Sequence, residues 1–133
     1  MNFILIDGSY YIFYRYHALR IWWGLAKKEG ETDDYCNNPR FVDKFRETFT
    51  NKMEELNKKL KLDKSIMFVG KDCPRKEIWR NKYIENYKSG RGDGDPNIKK
   101  LFEIAYSENL FVKSGAKFIL AYPELEADDC LAI

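Results

Sequence analysis

The sequence predicts an α/β fold of three-layer α/β/α type on a mostly parallel sheet, and three observations carry that prediction. Apolar runs of strand length recur at residues 3–6, 65–70 and 117–121. Each run is continuous rather than alternating, as expected of strands buried on both faces of a parallel sheet. Segments of helical periodicity separate them, in the order β-α-α-β-α-α-β-α.

The first run, Phe3, Ile4, Leu5 and Ile6, is closed by Asp7, Gly8 and Ser9, which reads as a buried strand ending in a tight turn with Ser9 as a helix N-cap. In the helix that follows, Tyr10, Phe13, Tyr14, His17 and Ile21 fall at helical spacing and are expected to form its core face, with His17 as a packed ring. Residues 27–38 are polar and read as a loop. Asn38 and Pro39 then supply an N-cap and a first-turn proline. Phe41, Phe45, Phe49, Met53, Leu56 and Leu60 continue at three- and four-residue intervals as one long amphipathic helix.

The second strand, residues 65–70, ends in glycine, and Asp72 stands just beyond it. Residues 74–88 read as a basic aromatic helix, with Trp79, Tyr83 and Tyr87 on one face. Residues 89–96 form a glycine-rich loop that lacks the lysine and hydroxyl ending of a phosphate-cradling P-loop. A helix over 97–110 should turn Ile98, Leu101, Phe102, Ala105 and Tyr106 inward. The third strand follows, and the acidic cluster opens the last helix.

At 133 residues the chain suits one domain with a real core. A composition 44% hydrophobic and 33% charged excludes a disordered chain, and a net charge of +2 gives no whole-molecule argument for a polyanionic partner. Three cysteines without CxxC spacing argue against a disulfide framework or a structural zinc site and favour a reducing, intracellular setting. The apolar start is too short for a signal peptide, and nothing approaches the roughly 20 apolar residues of a membrane span.

Charge placement is more informative than total charge. Glu124, Glu126, Asp128 and Asp129 crowd into six positions without a Lys or Arg. Alone, such a run is either a solvated face or half of a metal site. In parallel sheets, however, ligands sit beyond the carboxyl ends of the strands. Here all three strand ends deliver acids: Asp7, then Asp72, then Glu126 with Asp128 and Asp129. Together these point to a hard-cation site of oxygen ligands, hence Mg²⁺ or Mn²⁺. Two such ions about 4 Å apart are suited to phosphodiester hydrolysis. Residues 71–91 carry seven basic side chains against three acidic ones, a surplus of +4 in a chain whose total is +2. Interleaved rings and cations suit a single-stranded nucleic-acid groove, or else an amphipathic helix with its rings in the core.

These residues resemble the 5′-3′ exonuclease and flap endonuclease (5′ nuclease) superfamily, with its PIN-like N-terminal domain. Ile4 to Ser9 with the following tyrosine-rich helix is similar to the family's first strand and helix. Asp72, Trp79 and Arg80, followed by Tyr87, Lys88 and Arg91, are similar to its second acidic motif and basic box. Glu126, Ala127, Asp128 and Asp129 match its Glu-Ala-Asp-Asp motif. The resemblance implies a two-metal nuclease that cuts 5′ flaps, nicks or RNA primers in DNA replication and repair, with replication proteins among its partners.

It further implies that Asp7, Asp72, Glu126 and Asp128 hold one ion and Asp129 faces a second. Lys88 and Arg91, at the base of an arch spanning about residues 75–97, would polarise the scissile phosphate. Tyr87 would stack near the reacting nucleotide and Arg80 would contact the backbone. The spacing from aspartate to arginine looks closer to phage-type members than to eukaryotic ones. The family's next aspartate pair would fall beyond Ile133, so residues 1–133 read as the N-terminal part of one PIN-like domain. Two other readings stay open: a nucleic-acid-binding module that does not cleave, and an aspartate-based phosphotransferase.

Overall fold

A computed structural model describes residues 2–31, 34–60, 64–88 and 95–132. Strands β1 (Asn2–Asp7), β2 (Ser65–Gly70) and β3 (Ala116–Leu120) form one sheet in the order β1-β2-β3, with both pairings parallel. Asn2 lies opposite Ser65 and Asp7 opposite Gly70, so β1 and β2 end level with each other. Among the described residues five α-helices accompany them: α1 (Gly8–Ala26), α2 (Pro39–Leu60), α3 (Pro96–Ser107), α4 (Leu110–Lys113) and α5 (Ala127–Ala132). The fold is the α/β architecture the sequence predicts.

One face of the sheet is fully packed. Ile4, Met67 and Val69 meet α1 through Ile12, Tyr16 and Leu19, and α2 through Phe45, Phe49 and Met53. Leu101 and Ala105 of α3 and Phe111 of α4 close the same core. The rings pack edge to face: Phe49 lies 4.8 Å from both Tyr11 and Phe111, centroid to centroid. Such contacts add about 0.5–1.5 kcal/mol each beyond the area they bury.

The other face carries a ladder of phenylalanines, Phe3 against Phe68 at 5.7 Å and Phe68 stacked on Phe118 at 5.1 Å. Phe3 remains 60% exposed and Phe118 45%. The expectation that the first strand is buried on both sides therefore fails for Phe3 and Leu5. Helix α5 supplies the third layer only at the carboxyl ends of the strands. There Gly70 allows the contact, because a Cβ at that position would lie 2.6 Å from the Ala127 carbonyl oxygen and 2.9 Å from Leu131 Cγ.

Two other expectations are corrected. The face of α1 predicted to be buried is its outer face: Tyr10, Phe13, Tyr14, His17 and Ile21 are all exposed, while Ile12, Tyr16, Leu19 and Trp23 pack inward. The helix is apolar around most of its circumference, so spacing alone allows either face. The helix expected over 74–88 is not formed. In its place are two short 3₁₀ turns, Arg75–Glu77 and Trp79–Lys82, separated by Ile78 in an extended conformation. The Trp79 amide is spent on the Glu124 carbonyl across the loop at 2.8 Å, and Asn86 (φ 57°) and Lys88 (φ 54°) adopt left-handed backbone that no α-helix accepts. The segment predicted as one helix over 97–110 is likewise divided, α3 ending before Asn109, whose φ of 55° starts α4 afresh.

Candidate metal centre and its basic flank

The carboxyl ends of the strands bring the acidic side chains to one edge of the sheet. Asp7, the last residue of β1, caps α1 by accepting from the Tyr10 amide at 3.1 Å. The cap predicted at Ser9 is thus supplied by Asp7, and Ser9 instead donates its hydroxyl to Asp72. The other oxygen of Asp72 accepts from the Ala127 amide at 2.6 Å. Asp72 therefore ties the end of β2 to the first turns of both α1 and α5.

Glu126 sits immediately before α5. Its carbonyl accepts from the Cys130 amide at 3.1 Å, and its amide donates to Asp129 Oδ2 at 3.1 Å. This is half of a capping box, the side chain three residues into the helix returning to the capping residue. Within a helix, residues 126 and 128 would point about 200° apart. Because Glu126 lies outside α5, that conflict does not arise, and Glu126, Asp128 and Asp129 each offer a carboxylate oxygen within 4.8 Å of one another. Glu126 is 5% exposed, whereas Asp128 faces solvent and, among the described residues, bonds only the Asp129 amide, at 3.0 Å. Asp7 and Asp72 stand outside this trio; Asp72 is tied beside it through the Ala127 amide, while Asp7 caps α1 at the neighbouring strand end.

Basic and aromatic side chains of the 79–88 segment close over the trio. Arg80 grips Asp129 in a two-pronged pair at 2.7 and 2.8 Å and also donates to Glu126. Lys88 Nζ lies 2.5 Å from Glu126 Oε1, and the Tyr87 hydroxyl donates to Oε2 at 3.0 Å. Trp79 Nε1 donates to Asp129 at 3.1 Å. The Asp129 carboxyl is lowered to about 2, chiefly by Arg80, against an opposing effect of burial. Burial raises that of Glu126, but the bonds from Lys88 and Tyr87 and the charges of Lys88 and Arg80 outweigh it, so the net shift is downward. Both groups stay ionised at neutral pH, as ligands for a cation must.

Of the site residues read from the sequence, Tyr87, Lys88 and Arg80 thus meet Glu126 and Asp129 directly, and Arg91 lies outside the described residues. Trp79, Tyr83 and Tyr87 do not share a helix face: Tyr83 is 78% exposed, while Trp79 and Tyr87 turn to the carboxylates. Sequence reasoning passed over Trp79 as an Asp129 partner and Ser9 as an Asp72 partner. It also missed the Tyr106 hydroxyl, which is buried without a hydrogen-bond partner among the described residues, 2.6 Å from where a Cβ on Gly8 would stand. Burial, then the charges of Asp72 and Asp7, raise its pKa, so it stays a neutral phenol.

Residues 2–133 match the 5′-3′ exonuclease N-terminal, resolvase-like domain. The chain belongs to that family. No curated protein and no solved structure matches it. The family is of nuclease type, so nucleic acid is the substrate class that this exonuclease domain implies. Among the described residues no helix is long and apolar enough to cross a membrane.

Proposed function

We propose that this chain is the N-terminal part of a structure-specific 5′ nuclease that hydrolyses phosphodiester bonds at DNA 5′ flaps, nicks or RNA primers with two divalent ions. The observation that carries the reading is the convergence of Glu126, Asp128 and Asp129 at the carboxyl end of a parallel sheet, with a basic flank against them. The donor set fits the group: three carboxylates and no nitrogen or sulfur ligand suit Mg²⁺ or Mn²⁺. Asp7, Asp72, Glu126 and Asp128 would hold one ion and Asp129 would face the other. When bound, such ions acidify a coordinated water and stabilise charge on the leaving oxygen.

The protein's own residues do the rest. Asp7 and Asp72 fix the helix starts that set the spacing of the carboxylates. Lys88 and Arg80 supply positive charge for a phosphate entering from the 79–88 side, and Arg91 follows three residues later in the same segment. The Tyr87 ring is available to stack on a base. Replication and repair of DNA in a reducing compartment is the setting consistent with this chemistry and with Cys36, Cys73 and Cys130 all free.

The test is a cleavage assay on flapped, nicked and RNA-primed duplexes with Mg²⁺ or Mn²⁺. Asp128→Asn is the variant of choice, because Asp128 is exposed and, among the described residues, bonds only its neighbour's amide. Cutting should fall by at least about 100-fold, the scale seen when one electrostatic stabiliser of a transition state is removed. A variant that cuts like the wild type removes the basis for the reading. Flap binding without cutting in either metal favours the non-cleaving module.

A further inference from the structure

Asp129 and Glu126 are already occupied by the protein itself. A carboxylate has about four lone-pair sites. Asp129 takes four donors, three of them on Oδ2 (Arg80, Trp79 Nε1 and the Glu126 amide) and one, the second Arg80 nitrogen, on Oδ1. Glu126 fills three, with Lys88, Arg80 and Tyr87. A divalent ion that uses the crowded oxygens, Glu126 Oε2 or Asp129 Oδ2, must displace at least one of those donors, and Arg80 bonds both. Burial gives the occupancy its physical reason. Glu126 is 5% exposed, and a carboxylate that deep is tolerated only beside a counter-charge.

The segment that carries the counter-charges crosses the cluster with its middle turned to solvent. Residues 81–86 are exposed, with Tyr83 and Ile84 at 78% and 50%. Asn86 and Lys88 sit in left-handed backbone, as does Glu124 opposite them with a φ of 67°. Three non-glycine residues in that conformation around one cluster mark a segment that its side-chain contacts hold in place. Trp79 is anchored separately by the hydrogen bond from its backbone amide to the Glu124 carbonyl, so its ring stays beside Asp129 and can report on it.

We infer that Arg80 and Lys88 act as built-in counter-cations that exchange with the divalent ion, so that ion binding and the release of these side chains toward a phosphate are a single event. The inference rests on the cation reading of Glu126 and Asp129 given above. It adds a regulatory property: without the ion, the phosphate-binding charges are locked onto the site they would otherwise serve.

Two measurements on the full chain test it. The first is Mg²⁺ affinity by calorimetry. Arg80→Gln should bind Mg²⁺ about ten-fold more tightly, the worth of roughly one charge-assisted hydrogen bond no longer opposing the ion. Lys82→Gln removes an equal charge from a pair with Glu124, outside the cluster, and should change affinity by less than about two-fold. The second needs only Trp79→Phe, to identify one signal among the three indole N–H resonances. In the wild type, the Trp79 indole signal should move with the same midpoint as Mg²⁺ binding.

An affinity in Arg80→Gln that is unchanged or weaker overturns the exchange, as does an equal gain in Lys82→Gln. If Arg80→Gln does not fold, an indole signal that stays fixed while Mg²⁺ binds the wild type overturns it on its own. If the wild type binds no Mg²⁺, or Glu126→Gln binds it equally well, the cation reading itself fails and takes the exchange with it.

Discussion

Gly70→Ala should impair the candidate centre without touching any of its side chains. The added Cβ would stand 2.6 Å from the Ala127 carbonyl oxygen and 2.9 Å from Leu131 Cγ. Leu131 can rotate, but a carbonyl in the first turn of a helix cannot. To restore an ordinary contact of about 3.4 Å, α5 must retreat by roughly 0.8 Å. Overpacking of this kind costs about 1–3 kcal/mol. The larger effect falls on geometry, because the retreat carries Ala127 away from Asp72 and shifts Glu126 and Asp129 relative to Asp7. Reactive constellations tolerate about 0.5 Å, and a displacement of about 1 Å costs on the order of 100-fold in rate. Denaturant titration and cleavage of a 5′-flap duplex read the two effects separately. Gly24→Ala is the control: it lies in α1 with nothing within 4 Å of the new Cβ and should gain about 0.5–1 kcal/mol. Normal stability and normal cutting in Gly70→Ala would show that α5 is not clamped to β2 as described.

Acid should loosen the same region. The carboxyls of Asp129, at about 2, and Glu126 are both lowered on folding. Their contribution is therefore complete above the ordinary carboxylate range and lost as pH falls through the folded values. Between about pH 5 and pH 2.5, unfolding free energy should drop by about 1 kcal/mol from Asp129, after discounting for solvent screening, and stepped-pH urea titrations in Arg80→Gln should show a shallower decline. In the core, Phe49→Ala empties a fully buried site between Tyr11, Phe45 and Phe111 and should cost about 3–5 kcal/mol by chemical denaturation, against about 0.5 kcal/mol or less for the exposed ring of Tyr83→Ala.

The strands were legible because a continuous apolar run of four to six residues has few other readings. Helix α2 was legible because its phenylalanines keep one stripe and its other positions are polar. Where a segment is apolar all round, as in α1, spacing identifies a helix but not its inner face. Residues 74–88 failed for a different reason. Rings at four-residue intervals satisfy a helical template, yet nothing local announces that Asn86 and Lys88 will be left-handed. Lys88 holds Glu126 in that conformation, and the two stand 38 positions apart. The acidic cluster itself was visible, and so was its need for a counter-charge. Which charges would answer it was not, because pairing Arg80 with Asp129 requires the fold that brings them together.

The link that Asp72 makes between Ser9 and the Ala127 amide bears on how any substitution there is interpreted. This aspartate is at once a candidate ligand and a bracket joining two helix starts to the sheet. Truncation to alanine removes both roles together, so lost cutting in Asp72→Ala reports architecture as readily as chemistry. Asparagine keeps an oxygen for the Ala127 amide while surrendering the negative charge. The pair of variants, compared for melting as well as cutting, separates what the side chain holds up from what it holds on to.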